Sequence, residues 1–278
     1  MPEGDTVYRT AVVLRRLLQG KRLTGFETAV PQVAAAVARQ PVVGRVISEV
    51  APRGKHLLIV FRDPAAGPVA DLVLHTHMRL TGSWHAYHEG TTWKKPARFA
   101  KVVLRVEGVV APCFSAPLVE LLTTREMVRH PALLRLGPDA IAEAFDADDV
   151  RARLRTRPDF AIGEGLLLQT AIAGVGNVFK SEILFLERVN PFVRVGDLSD
   201  EVLDRVIAQA RRLLLLNRRP EFRQTRAALD PEARIWVYRR TGRSCHECGT
   251  PIRVRRQGED ARSTYFCPRC QRVARFEP

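Results

Sequence analysis

Four cysteines near the end of the chain have the spacing of a metal site. Cys245 and Cys248 form one C-x2-C pair, Cys267 and Cys270 form a second, and eighteen residues separate the pairs. Each C-x2-C turn brings two sulfurs to one face, and two such turns complete a tetrahedron around Zn2+. The spacing predicts one structural zinc per chain; paired disulfides are the competing reading. A second chemical feature stands at the other end. Removal of Met1 from MPEG leaves Pro2 with a free secondary amine beside Glu3. Such an amine has a lone pair to attack an electrophilic sugar carbon and one N–H to lose, so it can collapse to an imine. A pKa near that of other α-amino groups leaves part of it neutral at physiological pH. A carboxyl one residue away can donate or take up a proton. The same dipeptide is also common at termini with no chemical role.

The chain carries 44 basic and 30 acidic side chains in 278 residues, a net charge of +14, which calls for a polyanionic partner. Of the basic residues 38 are Arg and only 6 are Lys. The arginine excess reads as coding bias, and it turns Lys21, Lys55, Lys94, Lys95, Lys101 and Lys180 into candidates for work a guanidinium cannot do, such as proton exchange. A hydrophobic fraction of 46% and a charged fraction of 27% exclude a disordered tail protein. With no run of about 18 apolar residues and no basic-then-apolar leader, the expectation is a soluble, intracellular protein without membrane attachment. Cys113, alone in VVAPCFSAP, reads as a small buried hydrophobe.

Three regions must position these residues. Residues 6–19 place Val7, Leu14, Leu17 and Leu18 on a helical stripe, with Asp5 or Thr6 as N-cap and Gly20 as stop. From about 22 to 118 short β-rich runs (RVISEV, HLLIVF, VADLVLHTHM, FAKVVLRVEGVVA) read as a β-sandwich or barrel-like domain. The segment 129–140, with Pro131, Gly137 and Pro138, reads as a connection. Three helical runs follow: FAIGEGLLLQTAI, NVFKSEILFLERV and SDEVLDRVIAQARRLLLLNR, the last with Ser199 and Asp200 as capping candidates. The first two are joined by a tight turn holding Gly174 and Gly176, which either serves packing alone or turns a helix N-terminus toward a phosphate. In the last region PIRVRR and STYFC flank RQGEDAR, predicting a zinc-held β-hairpin. From Arg234 onward 11 Arg face 4 acids, so this element is basic enough to lie against nucleic acid; a solvated arginine face is the bland alternative. The boundaries expected are 1–128, 129–236 and 237–278.

MPEGDTV, PRGKHLL, AGVGNVFKSEILF and ARSTYFCPRCQ, in that order along the chain, resemble the formamidopyrimidine-DNA glycosylase / endonuclease VIII family, and MPEGDTV resembles its actinobacterial endonuclease VIII-like branch. The resemblance implies an N-terminal helix with a β-sandwich, a helical domain containing a helix-two-turn-helix, and a C-terminal zinc finger, with DNA held in the cleft between them. It implies a bifunctional DNA glycosylase/AP lyase of base excision repair that flips the damaged base out of the stack. Pro2 matches the nucleophile that attacks C1′, Glu3 the partner acid, and Lys55 the lysine that contacts backbone phosphate and assists base removal. Asn177 and Arg262 match the pair that clamps phosphates beside the extruded nucleotide, and Leu80 falls at the gap-filling wedge. Elimination on both sides of the sugar then leaves a gap bounded by phosphates, with no redox or nucleotide cofactor.

Departures shape the expected substrate. Asp5 and Thr6 stand where many members carry Pro-Glu, and Arg79 and Thr81 match neither branch's usual residues beside the wedge. Neither the phenylalanine-arginine gap-filling motif of the oxidised-guanine branch nor a clear counterpart of its base-capping loop, sought in residues 213–236, is found. Oxidised pyrimidines are therefore the expected lesions, with 8-oxoguanine and formamidopyrimidine as the alternative. The missing opposite-strand reader would also admit single-stranded DNA. The expectation is completed by a monomer, cytoplasmic and associated with the nucleoid. A non-catalytic zinc-ribbon DNA-binding protein explains the charge, zinc site and helical hairpin equally well, but needs neither Pro2-Glu3 nor Lys55. His75 and His77 share a strand face, where a second metal is conceivable and a structural role is the default. Trp84 and Trp93 are read as packing residues.

Overall fold

The computed structural model describes residues 2–65, 70–219, 222–230 and 233–272. Met1 and parts of the 213–236 segment lie outside the described residues. The chain divides into two compact units, Met1–Arg135 and Leu136–Pro278.

The first unit begins with helix α1 (Gly4–Leu18), whose stripe Val7, Ala11, Leu14 and Leu18 is buried. Glu3 occupies the N-cap position, so the helix starts earlier than Asp5 or Thr6 would have it. Strand β1 (Leu23–Thr28) leads to α2 (Pro31–Arg39), a helix inside a stretch whose sequence reads as purely β-rich. Pro31 at its first turn fixes φ where no amide partner is needed. Then come β2 (Val46–Arg53), β3 (His56–Arg62), β4 (Leu72–His77), β5 (Ser83–Trp84), β6 (Tyr87–His88), β7 (Ala100–Val106), β8 (Val109–Phe114) and β9 (Leu118–Thr123). They form two antiparallel sheets, β1-β7-β8-β5 with β6 also on β8, and β2-β3-β4-β9. Alternation sorts β3: Leu57, Ile59 and Phe61 enter the core with Leu72 and Leu74 of β4 and Val102, Leu104 and Cys113 of the other sheet. Cys113 is fully buried and burial pushes its thiol pKa up, as an inert hydrophobe requires. Trp84 is a core residue whose indole N–H donates to Thr76 Oγ1 at 3.0 Å, and Trp93 stacks on Tyr87. Short helices α3 (Thr124–Val128) and α4 (Pro131–Leu134) close the unit.

The second unit holds α5 (Ala147–Arg155), α6 (Ile162–Gly165), α7 (Asn177–Leu186) and α8 (Asp200–Leu216) around one apolar core. The run 160–172, which reads as a full helix, gives only the four-residue α6; Leu166 and Ile172 are buried in the turns that follow. Gly174 adopts φ +95°, a conformation that favours glycine, and Gly176 caps α7. Ser199 takes the N-cap position of α8. The predicted hairpin is β10 (Arg253–Gln257) paired with β11 (Arg262–Phe266). Among the described residues no helix is long and apolar enough to cross a membrane.

One carboxylate organises the approach to this hairpin. Glu182 of α7 is fully buried and accepts the backbone N–H groups of Trp236, Val237 and Tyr238 at 2.7, 2.8 and 2.9 Å, and the Thr225 hydroxyl. Glu182→Ala should strand three amides and cost at least about 3 kcal/mol of stability. Urea unfolding followed by Trp236 fluorescence measures this, and a loss under about 1 kcal/mol would contradict the anchoring role.

Candidate functional site

In the first unit, Pro2 is half-buried and Glu3 fully buried. The Glu3 carbonyl accepts the Val7 N–H at 3.0 Å, which opens the first turn of α1. Asp5, also fully buried, is paired with Arg9 at 3.3 Å and accepts the Thr6 hydroxyl at 3.2 Å. The Asp5-Thr6 departure thus puts a buried, paired carboxylate in the first turn of α1.

The direction of α1 decides what lies near its start. Gly20 N–H bonds the Ile47 carbonyl and Arg15 Nη2 bonds the Val50 carbonyl at 2.7 Å, so α1 runs antiparallel to β2. From Arg15 back to Gly4 the helix covers about 16 Å, and from Val50 onward to Lys55 the strand covers about 17 Å. Pro2 and Glu3 therefore lie toward the end of the sheet where Lys55 stands. Lys55 sits in the two-residue turn Gly54–Lys55, closed by the pair Arg53 and His56, with Gly54 at φ +58°.

Leu80 emerges at that same end, because His56 at the start of β3 pairs with His77 at the end of β4. The loop displaying it is tightly built. Arg79 adopts φ 44° and its N–H donates to His77 Nδ1 at 3.1 Å. Thr81 Oγ1 donates to the Ser115 carbonyl at 3.0 Å, and a Cβ on Gly82 would come within 2.7 Å of the Met78 backbone. Leu80 is 63% exposed, an apolar side chain held out by an ordered loop.

The second unit joins Asn177 to the strand that starts with Arg262. Asn177 Nδ2 donates to the Ser263 carbonyl at 2.7 Å, which fixes the amide's orientation and leaves Oδ1 buried without a hydrogen-bond partner. Arg262, 42% exposed at the side chain, pairs with Asp260 at 3.0 Å. Behind them runs a network in which only Lys180 had drawn notice from sequence. Fully buried Lys180 donates to Thr264 Oγ1 at 2.8 Å, Thr264 donates to Gln257 Oε1 at 2.9 Å, and Gln257 donates to the Pro191 carbonyl at 2.8 Å. Gly163 leaves the room for it, since a Cβ there would meet Gln257 Oε1 at 2.5 Å.

The four cysteine sulfurs lie within 4.8 Å of one another. Cys245 and Cys270 are 3.9 Å apart and Cys248 and Cys267 3.5 Å, bracketing the about 3.8 Å expected for two thiolates on one tetrahedral Zn2+ and far from a disulfide. This donor set fits one structural zinc. Gln271 supports it: its Oε1 accepts the Cys267 N–H and its Nε2 donates to the Val189 carbonyl, both at 2.9 Å.

His75 and His77 share a face as expected, but His75 engages Glu120 and His56 rather than a metal with His77. His75, Glu120 and His130 also converge within 4.8 Å, with their donor atoms bonded to each other. Burial holds the His56 pKa down to about 3, helped by His77, His75, His130 and Lys55. Burial likewise holds His77 at about 4, with Lys55, Arg79 and His75 adding to it. Both rings are neutral at physiological pH.

Three family profiles match the chain: the formamidopyrimidine-DNA glycosylase N-terminal domain over residues 1–117, the formamidopyrimidine-DNA glycosylase H2TH domain over 136–217, and the zinc finger found in FPG and IleRS over 244–273. The probable endonuclease 8 2 of Streptomyces coelicolor is 37% identical over 98% of this chain and 94% of its own length. The DNA-(apurinic or apyrimidinic site) lyase Nei2 of Mycolicibacterium smegmatis is 36% identical over 98% and 99%. The Lactococcus lactis Fpg (MutM) solved with DNA containing N7-benzyl-Fapy-dG shares the fold, with a TM-score of 0.82, 23% identity and coverage of 98% and 100%.

Elemental analysis should find one Zn2+ per chain, with Cys267→Ser lowering it to none; zinc-free protein with no free thiol beyond Cys113 would restore the disulfide reading. The two depressed histidines set a pH dependence. The unfolded chain binds their protons near 6.5 while the folded chain refuses them, so stability is complete above that pH and falls as pH drops toward 4. In histidine NMR spectra the two rings should not titrate between about pH 8 and about pH 5; midpoints near the ordinary histidine value of 6.5 would contradict their burial.

Proposed function

The chain belongs to the formamidopyrimidine-DNA glycosylase and endonuclease 8 family, and from that premise we propose that it removes oxidised bases, pyrimidines foremost, through an imine at Pro2 and then cuts the strand. It is a DNA glycosylase and AP lyase acting on damaged DNA. The observation that carries the residue roles is the gathering of Pro2, Glu3, Lys55 and Leu80 toward one end of the first unit.

With Met1 removed, the Pro2 nitrogen attacks C1′ of the flipped nucleotide and the base leaves with the glycosidic electron pair. Glu3, buried beside Pro2, supplies the proton that opens the sugar or neutralises the departing base. Loss of the amine proton frees the nitrogen lone pair to expel the ring oxygen O4′, which is protonated as the C1′–O4′ bond breaks, and the resulting iminium acidifies C2′–H. Removal of that proton expels the 3′ phosphate, and a second elimination expels the 5′ phosphate, leaving a gap bounded by phosphates. Lys55 holds a backbone phosphate during base removal, and Leu80 fills the space the base has left. Asn177 and Arg262 hold phosphates, Arg262 exchanging Asp260 for the strand. Zinc held by Cys245, Cys248, Cys267 and Cys270 would fix the base of the hairpin that carries Arg262.

The preference for oxidised pyrimidines rests on the sequence, which lacks the phenylalanine-arginine gap-filling motif of the oxidised-guanine branch and a clear counterpart of its base-capping loop in residues 213–236. Without an opposite-strand reader the protein also accepts single-stranded lesions. It acts as a monomer, in the cytoplasm where the chromosome lies. Pro2→Gly should keep binding of abasic-analogue DNA within about threefold while slowing single-turnover strand cleavage about 10^3-fold. Cleavage at the wild-type rate would overturn the assignment of Pro2. A panel of single-lesion oligonucleotides should show oxidised pyrimidines excised at least about tenfold faster than 8-oxoguanine.

A further inference from the structure

On the face of the β2-β3-β4-β9 sheet turned from the core, four polar side chains form one line. His56 Nδ1 lies 2.7 Å from His75 Nε2, His75 Nδ1 lies 2.9 Å from Glu120 Oε2, and His130 Nε2 lies 3.1 Å from the same oxygen. Each joint crosses to a new element: β3 to β4, β4 to β9, and β9 to His130, the N-cap residue of α4. His75 is fully buried, and His75 and Glu120 face each other directly across their strands.

The hydrogen-bond order assigns the protons. A carboxylate only accepts, so His75 Nδ1 and His130 Nε2 each carry a hydrogen. A neutral His75 then offers its lone pair at Nε2, and His56 must donate from Nδ1. No ring in the line needs a charge, in keeping with the low pKa of His56. Such a chain has one arrangement of donors and acceptors and therefore one ring orientation at each step.

The line starts at the residue that closes the Lys55 turn. His56 pairs with Arg53 across Gly54–Lys55, so its imidazole ties down a residue that flanks the hairpin tip. Hairpin tips are where backbone order is ordinarily lowest, and an ammonium on a four-carbon stem magnifies any rotation of the turn. We propose that His75 and Glu120 are positioning residues for Lys55, fixing His56 and through it the turn that presents the ammonium to the DNA strand. This rests on the reading of Lys55 as a phosphate contact that assists base removal.

A double-mutant cycle on single-turnover base removal tests it, using Lys55→Ala, His75→Leu and their combination in the full chain. Misplacement of about 1 Å costs on the order of 10^2-fold, so His75→Leu should slow base removal about 10- to 100-fold. The double variant should be no slower than the slower single variant, within about threefold. Cleavage of a preformed abasic site should be slowed less, in the same proportion as in Lys55→Ala; a purely structural loss would lower both steps alike. Glu120→Leu, which removes the accepting oxygen at similar size, repeats the measurement if His75→Leu does not fold. Multiplicative effects in the double variant, or a normal rate in His75→Leu or Glu120→Leu, would overturn the proposal. If Lys55→Ala alone leaves base removal unchanged, the reading of Lys55 fails and this one with it; trapping at Pro2 is untouched by that outcome.

Discussion

A chain terminus frays unless something holds it, and the proposed reaction asks a terminal amine to meet one sugar carbon. The residues after Pro2 meet that demand: Glu3, Gly4 and Asp5 are buried, and Val7, Ala11, Leu14 and Leu18 lock α1 into the core of the sandwich. Because α1 lies antiparallel to β2, its start falls toward the end of the sheet where the Lys55 turn and the Leu80 loop emerge. The core thus does two things at once, stabilising the unit and bringing a flexible terminus to a set place. This is why a helix with its apolar stripe must precede the strands.

The second unit solves a different problem with buried polar contacts. Asn177 and Arg262 stand on a helix and a hairpin that meet through Asn177 with Ser263 and Lys180 with Thr264. Glu182 fixes the segment 236–238 leading into the hairpin, and four cysteine sulfurs suited to zinc fix its base. Small apolar area is available to such a module, so metal and hydrogen bonds take the place of a larger core. Of the net charge of +14, half lies from Arg234 onward, where 11 Arg stand against 4 acids. That excess supplies affinity and salt dependence for a phosphate chain and says little about the bond that is broken.

Much of this was legible from residue types. The cysteine spacing found its tetrahedron, the alternation in HLLIVF found β3, and RQGEDAR found the hairpin turn. The failures have physical causes. FAIGEGLLLQTAI has a helical pattern of apolar residues, yet Gly163 and Gly165 and the turns beyond them yield only α6, with Leu166 and Ile172 buried all the same. PQVAAAVAR is a helix among strands, marked only by Pro31 and its alanines. The histidine line was half visible: His75 and His77 share a strand face, but Glu120 and His130 join it only through strand register and the turn before α4. Lys180 stood out as one of 6 lysines, and nothing in the sequence says that its partner is Thr264.

The account turns on which nitrogen bonds to the sugar. Wild-type protein reacted with abasic-site DNA under borohydride, then digested and mapped by mass spectrometry, answers this directly. The sugar should be found on the N-terminal peptide, attached to the nitrogen of Pro2 with Met1 absent. A sugar attached to Lys55 or another lysine, or an adduct on protein that retains Met1, would contradict the account.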